Sequence, residues 1–154
     1  MDANEPGQPP TSIPVGTSGV GRQLTTPRSA LAIGAHPDDV EFGCGGTLAK
    51  WAADGCVVHH LVLTDGSKGT WNPDADTAAL ARTRQTEQRE AARRLAGNRA
   101  GTVVFLEQVD GELDSTLALR GEVARVIREL RPQVVLGHDP WKRYRLHQIG
   151  RAHV

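Results

Sequence analysis

The residues best suited to chemistry gather in one short run, Ala35-His36-Pro37-Asp38-Asp39-Val40-Glu41. Imidazole and carboxylate are a usual ligand set for zinc, and a second carboxylate beside them can serve as base for a metal-bound water. Pro37 restricts φ and favours a tight turn, which would hold His36 and the two aspartates together without a helix or strand to space them. The same run also reads as a plain capped turn, with Asp38 or Asp39 as the N-cap of a following helix and His36 a solvated bystander. One histidine and two aspartates are not yet a metal site, so residue chemistry alone leaves both readings open.

The elements around this run must place it. Ala30-Leu31-Ala32-Ile33-Gly34-Ala35 is a short apolar stretch that stops abruptly at His36, as a buried strand does where it meets a loop. From Val40 to Asp54, Leu48, Trp51 and Ala52 recur at helical spacing, and Gly55 stands where a C-terminal glycine would end the helix. Val57 to Thr64 reads as a second buried strand closed by Asp65-Gly66, and the loop Ser67 to Asp76 is polar apart from Trp71. Thr77 to Leu95 is rich in helix formers, with Leu80, Ala91, Ala92 and Leu95 available for an inner face. A third strand is expected over Thr102 to Leu106 and a third helix over Ser115 to Leu130, which Pro132 stops. A fourth strand follows in Val134-Val135-Leu136-Gly137. Strands that alternate with helices and are apolar on both faces imply an α/β fold, a three-layer Rossmann-like sandwich with a mostly parallel sheet. His36 then lies at a carboxyl end of that sheet, where open parallel sheets put their ligands.

Length and composition bound the rest. A chain of 154 residues fits one domain. Its 18 Lys and Arg balance 18 Asp and Glu, which leaves no basic field for phosphate backbones and argues against a nucleic-acid partner. No apolar run approaches the roughly 20 residues that span a bilayer, so no transmembrane segment is expected. Cys44 and Cys56 form neither a CxxC pair nor a dense framework and read as thiols in a reducing cytoplasm. Residues 1–27 are rich in Pro, Gly, Ser and Thr and lack an apolar export region, so they are expected to form a disordered arm on a cytoplasmic protein. Nothing in the sequence sets an oligomeric state.

The motif His36-Pro37-Asp38-Asp39-x-Glu41, followed by Gly45-Gly46-Thr47-Leu48-Ala49 opening the helix, resembles the PIG-L (LmbE-like) deacetylase family. The likeness runs from about Ser29 to His147. It includes Thr64-Asp65-Gly66 with Lys68-Gly69, Arg84-x-x-Glu87, Asp110-Gly111, and Gly137-His138-Asp139-Pro140. The resemblance implies a zinc-dependent hydrolase on a Rossmann-like sheet that removes an N-acetyl group from a glucosamine-containing or related small molecule. It implies His36 and Asp39 as metal ligands, Asp38 as the general base toward the metal-bound water, and His147 as the general acid that also meets the oxyanion. A divalent ion can lower the pKa of its water from about 15.7 to near 7, which agrees with that division of labour.

This chain departs from the family after His147. There the family continues with Pro, Asp and a second His that is its third metal ligand, whereas this chain has Gly150. A catalytic zinc normally has three protein ligands, so His36 and Asp39 alone would hold it weakly. His153 lies three residues further on, at a chain end, and is the weaker candidate for a replacement. Gln148 to Val154 also match one reading frame of a widely used short-read sequencing adapter and are expected to be a non-native tail. The domain is then expected to be a partial deacetylase domain over residues 28–147, C-terminally incomplete, with the rim of its fourth strand exposed.

Further candidates are substrate-binding. Trp71 could stack on a sugar ring or anchor its loop. Arg84 belongs to a set with Arg82, Arg89, Arg93 and Arg94 that, beside Glu87 and Glu90, also reads as a solvated helix face. His138 and Asp139 end the fourth strand on the same sheet edge as His36, where they could meet substrate, orient a ligand or form an Asp-Pro turn. His59 and His60, inside an apolar strand, read as structural. Two rival functions remain: an inactive fragment or binding module lacking the third ligand, and a nucleotide-binding Rossmann protein. The second would need a GxGxxG turn where the chain has His36-Pro37-Asp38-Asp39.

Overall fold

A computed structural model describes residues 25–139, 143–145 and 148–149. Most of the expected N-terminal arm, together with His147, Gly150 and His153, lies outside the described residues. Strand β1 (Ser29–Gly34) leads to helix α1 (Asp39–Ala53), β2 (Val57–Thr64) and helix α2 (Thr77–Ala96). A 3₁₀ turn (Gly97–Arg99), β3 (Ala100–Gln108), α3 (Leu117–Leu130) and β4 (Val134–Leu136) follow. Two short strands, β5 (Arg143–Arg145) and β6 (Gln148–Ile149), pair antiparallel.

The four main strands form one parallel sheet in the order β3-β2-β1-β4. The alternation of β1 sorts its side chains to two faces. Ala30 and Ala32 pack with Leu48, Trp51 and Ala52 of α1 and Ala96 of α2, while Leu31 packs with Leu61 and with Val126 of α3. Helices therefore cover both faces, the expected three-layer α/β sandwich. Each fully buried leucine among these contributes roughly 1.5–3 kcal/mol.

Local signals set the element ends. The Gly55 N–H donates to the Ala52 carbonyl at 3.0 Å and the Cys56 N–H to that of Trp51 at 2.9 Å, with Gly55 at φ 101°. Those bonds terminate α1 as its glycine implied. Helix α3 begins at Leu117, two residues later than expected, because the Thr116 hydroxyl accepts from the Leu119 N–H at 3.1 Å and caps it. Strand β3 extends beyond its apolar centre because β2 supplies hydrogen-bonding partners from Val58 to Thr64. Among the described residues β4 is an edge strand, and Val135 on it is 44% exposed.

The chain runs outward from β1 through β2 to β3, then returns to add β4 on the other flank of β1. The carboxyl ends of β1 and β4 thus flank the point where strand order reverses, the crevice in which open α/β sheets bind ligands.

Candidate active site

The turn after β1 is built around Asp39. Its Oδ2 accepts the His36 main-chain N–H at 2.7 Å, and its own N–H donates to the His36 carbonyl at 3.3 Å. A Cβ at Gly34 would come within 3.0 Å of Asp39 Cβ, so the turn closes over a glycine. The Thr64 N–H and hydroxyl both donate to the Ala35 carbonyl, at 2.9 and 2.8 Å, and tie the ends of β1 and β2 together. Gly66, at φ 67°, sits against the Pro37 ring, which a Cβ there would meet at 3.0 Å.

Neither aspartate caps α1. Asp38 occupies the N-cap position but makes no side-chain cap bond and lies at φ 103°, a left-handed conformation that costs a non-glycine residue on the order of 1–3 kcal/mol. The capped-turn reading therefore fails for both residues, and the two neighbouring carboxylates serve different surroundings.

Asp39 faces two imidazoles. Its Oδ2 lies 3.2 Å from His36 Nδ1 and 3.3 Å from His138 Nε2. Burial pushes the Asp39 carboxyl up, but the hydrogen bonds from His138 and His36 outweigh it and hold the group well below the usual carboxylate range. The other His36 nitrogen, Nε2, lies 3.1 Å from Asp110 Oδ1. With Asp110 first and Asp39 second holding its proton, His36 is raised to about 10 against the opposing effect of burial.

Asp110 escaped the sequence reading as a site residue, although Asp110-Gly111 follows the third strand at the same sheet edge. It is buried, its N–H donates to Asp65 Oδ1 at 3.1 Å, and its Oδ2 accepts the Lys68 N–H at 3.3 Å. An imidazole with a carboxylate behind it is the arrangement that orients a metal-binding histidine.

The donor set suits a divalent ion in type. Two donors bonded to one tetrahedral zinc at about 2.0–2.1 Å lie about 3.3 Å apart. That is the spacing from Asp39 Oδ2 to His36 Nδ1 and to His138 Nε2. No group of three His, Cys, Asp or Glu among the described residues is assembled as a metal centre. His36 and Asp39 could hold an ion, which would compete with the His36 proton for its nitrogen.

Asp38 turns the other way. Its Oδ2 receives Arg84 Nη2 at 2.6 Å, and the same nitrogen donates to the Pro37 carbonyl at 3.1 Å. Arg84 therefore leaves the solvated helix face considered for it and braces the turn, while Nη1 reaches Glu87 Oε2 at 3.3 Å. Asp38, Glu41, Arg84 and Gln88 line a cleft of about 100 Å³. Beneath it Gln88 links Asp38, Glu41 and His60. Burial, with His59 next in effect, lowers His60 to about 4, which agrees with a structural role. His59 Nδ1 likewise accepts a main-chain N–H, that of Thr102, at 3.0 Å.

Of the other expected site residues, Trp71 is 98% exposed on the loop between β2 and α2, and Asp139 is exposed just after His138. The turn after β1, α2 and the end of β4 bring together His36, Asp38, Asp39, Arg84 and His138. His147 lies outside the described residues.

Comparison with known proteins follows the same residues. The family model described as PIG-L: GlcNAc-PI de-N-acetylase matches residues 31–153. A diacetylchitobiose deacetylase of Thermococcus kodakarensis is 38% identical over 120 residues, covering 78% of this chain and 44% of that protein. The structure of the N,N'-diacetylchitobiose deacetylase from Pyrococcus horikoshii superposes with a TM-score of 0.74 at 32% identity, covering 81% of this chain and 46% of that one. A 4-carboxy-2-hydroxymuconate hydratase from Pseudomonas putida KT2440 superposes with a TM-score of 0.68 at 26% identity, covering 79% and 51%. The chain thus spans about half the length of the proteins it matches. With the match running through the turn, the bracing arginine and all four strands, the chain belongs to the PIG-L family.

Proposed function

We propose that the chain carries part of the active site of a zinc-dependent hydrolase that removes the acetyl group from an N-acetylglucosamine-type sugar. The observation that carries this reading is the divergence of two adjacent carboxylates. Asp39 is drawn into the His36 and His138 cluster, and Asp38 is held over the cleft by Arg84. Environments that separate a pair of neighbouring acids assign them separate roles. The deacetylases among the relatives support the reaction and the sugar class.

His36 and Asp39 would hold the ion, with Asp110 fixing the His36 ring from behind. When bound, the zinc supplies Lewis-acid polarisation of the amide carbonyl and makes water acidic enough to be a nucleophile near neutral pH. Asp38 accepts a proton from the attacking water as its oxygen bonds to the acetyl carbon. Arg84, 2.6 Å from Asp38 Oδ2, keeps that carboxylate aimed over the cleft. His147 would protonate the sugar nitrogen as the carbon–nitrogen bond breaks, so that acetate and a free amine leave. Trp71, exposed on the loop after β2, and Asp139, exposed after β4, would meet the sugar.

Acetate release from N,N'-diacetylchitobiose, measured on the whole protein with zinc and after chelation, tests this reading. The Asp38→Asn variant should retain zinc and lose turnover by about 10²-fold or more. Loss of zinc with retained turnover would reverse the roles of Asp38 and Asp39. The likeness to a hydratase sets the competing outcome: water added across a carbon–carbon double bond with no acetate released.

A further inference from the structure

Gln88 lies on the inward side of α2, 2% exposed, in a helix whose other turns need no buried carboxamide. The atom it presents to Asp38 follows from chemistry. The Asp38 main-chain N–H can only donate, so its partner 2.7 Å away is the carbonyl oxygen Oε1. Nε2 is then left to donate twice, to Glu41 Oε1 at 2.7 Å and to His60 Nδ1 at 3.1 Å. His60 must accept at Nδ1, so its proton sits on Nε2 and the ring is neutral, as its full burial also favours. One side chain thereby ties the turn to the centre of β2 and to the first turn of α1.

The residue so held is the left-handed one. At φ 103° Asp38 adopts a conformation that an L side chain rarely takes, and its N–H donates to Gln88. We propose that Gln88 is a positioning residue for the reaction, clamping the Asp38 main chain so that the Asp38 and Asp39 carboxylates diverge. This rests on Asp38 being the proton acceptor argued above.

Gln88→Met, similar in length and apolar, tests the clamp. The Asp38 amide should exchange its proton at least about tenfold faster, and kcat should fall on the order of 10²-fold with KM and zinc content unchanged. The paired swap Gln88→Glu with Glu41→Gln keeps the bond from the Asp38 N–H in its present sense and reverses the bonds to position 41 and to His60. The carboxylate now at position 88 accepts from the Asp38 N–H and from the new carboxamide at 41, and His60 donates after moving its proton to Nδ1. That pair should restore Asp38 amide protection and recover at least about tenfold of the lost kcat. Unchanged kcat in Gln88→Met, a fall shared equally by KM or melting temperature, or a swap that recovers nothing would overturn the proposal. Asp38→Asn separates the two levels. If it retains turnover, the base assignment itself fails; if it loses turnover while Gln88→Met does not, only the clamp fails.

Discussion

Acid should weaken this fold through His60. The ring is completely buried, its Nδ1 accepts from Gln88, and it is lowered from 6.5 to about 4. A histidine depressed in the folded state contributes stability above its unfolded pKa and loses it as pH falls toward the folded value. The shift corresponds to about 3 kcal/mol in total, at about 1.4 kcal/mol per unit. Integrating between pH 7 and pH 4.5 gives about 2 kcal/mol lost over that range. Glu41, 3.7 Å from His60 Nδ1 and pushed up by burial, works in the opposite sense, as does His36, raised to about 10. The difference between parent and His60→Leu is therefore the quantity to measure. Leucine fills much of the same space and leaves Gln88 its bond to Glu41, so the two proteins should unfold within about 1 kcal/mol of each other at pH 7. Urea unfolding followed by circular dichroism at half-unit steps should then show the parent losing about 2 kcal/mol more than the variant by pH 4.5. Parallel curves would refute the assignment of a neutral, desolvated His60.

Four further outcomes follow from the geometry. Arg84→Met removes the donor 2.6 Å from Asp38 and the bond to Pro37, so kcat should drop about 10- to 10²-fold with the fold retained, read by steady-state kinetics and near-UV spectra. Asp110→Asn should weaken zinc binding about 10- to 10²-fold through the His36 ring, as measured by competition with a chromogenic chelator. Gly66→Ala places a side chain at φ 67° and 3.0 Å from Pro37 and should cost about 1–3 kcal/mol in urea unfolding, with no change if the loop simply relaxes. Asp39→Asn should abolish zinc retention through dialysis, where unchanged retention would remove Asp39 from the ligand set.

Much of this architecture was legible without coordinates, for identifiable reasons. The parallel α/β class followed from apolar strands alternating with amphipathic helices. The end of α1 was marked by Gly55, whose positive φ is a local requirement. Element ends moved where a single hydrogen bond decides them, as with Thr116 at the start of α3. The site was legible where its parts are neighbours in sequence and opaque where they are not. His36-Pro37-Asp38-Asp39 announced itself, yet whether an aspartate caps the helix depends on one backbone torsion that composition does not specify.

What the sequence by itself determined is the local chemistry: an imidazole and two carboxylates on a proline turn at the end of a buried strand. The tertiary structure alone decided how those groups divide. Strand order carries His138 to Asp39 and Asp110 to His36, and the docking of α2 brings Arg84 and Gln88 onto Asp38. The physical reason lies in range. Turn geometry is set by a few adjacent torsions, whereas strand order and helix docking are set by burial over the whole sheet. The partner of a given carboxylate therefore becomes defined only once the sheet and its helices have packed.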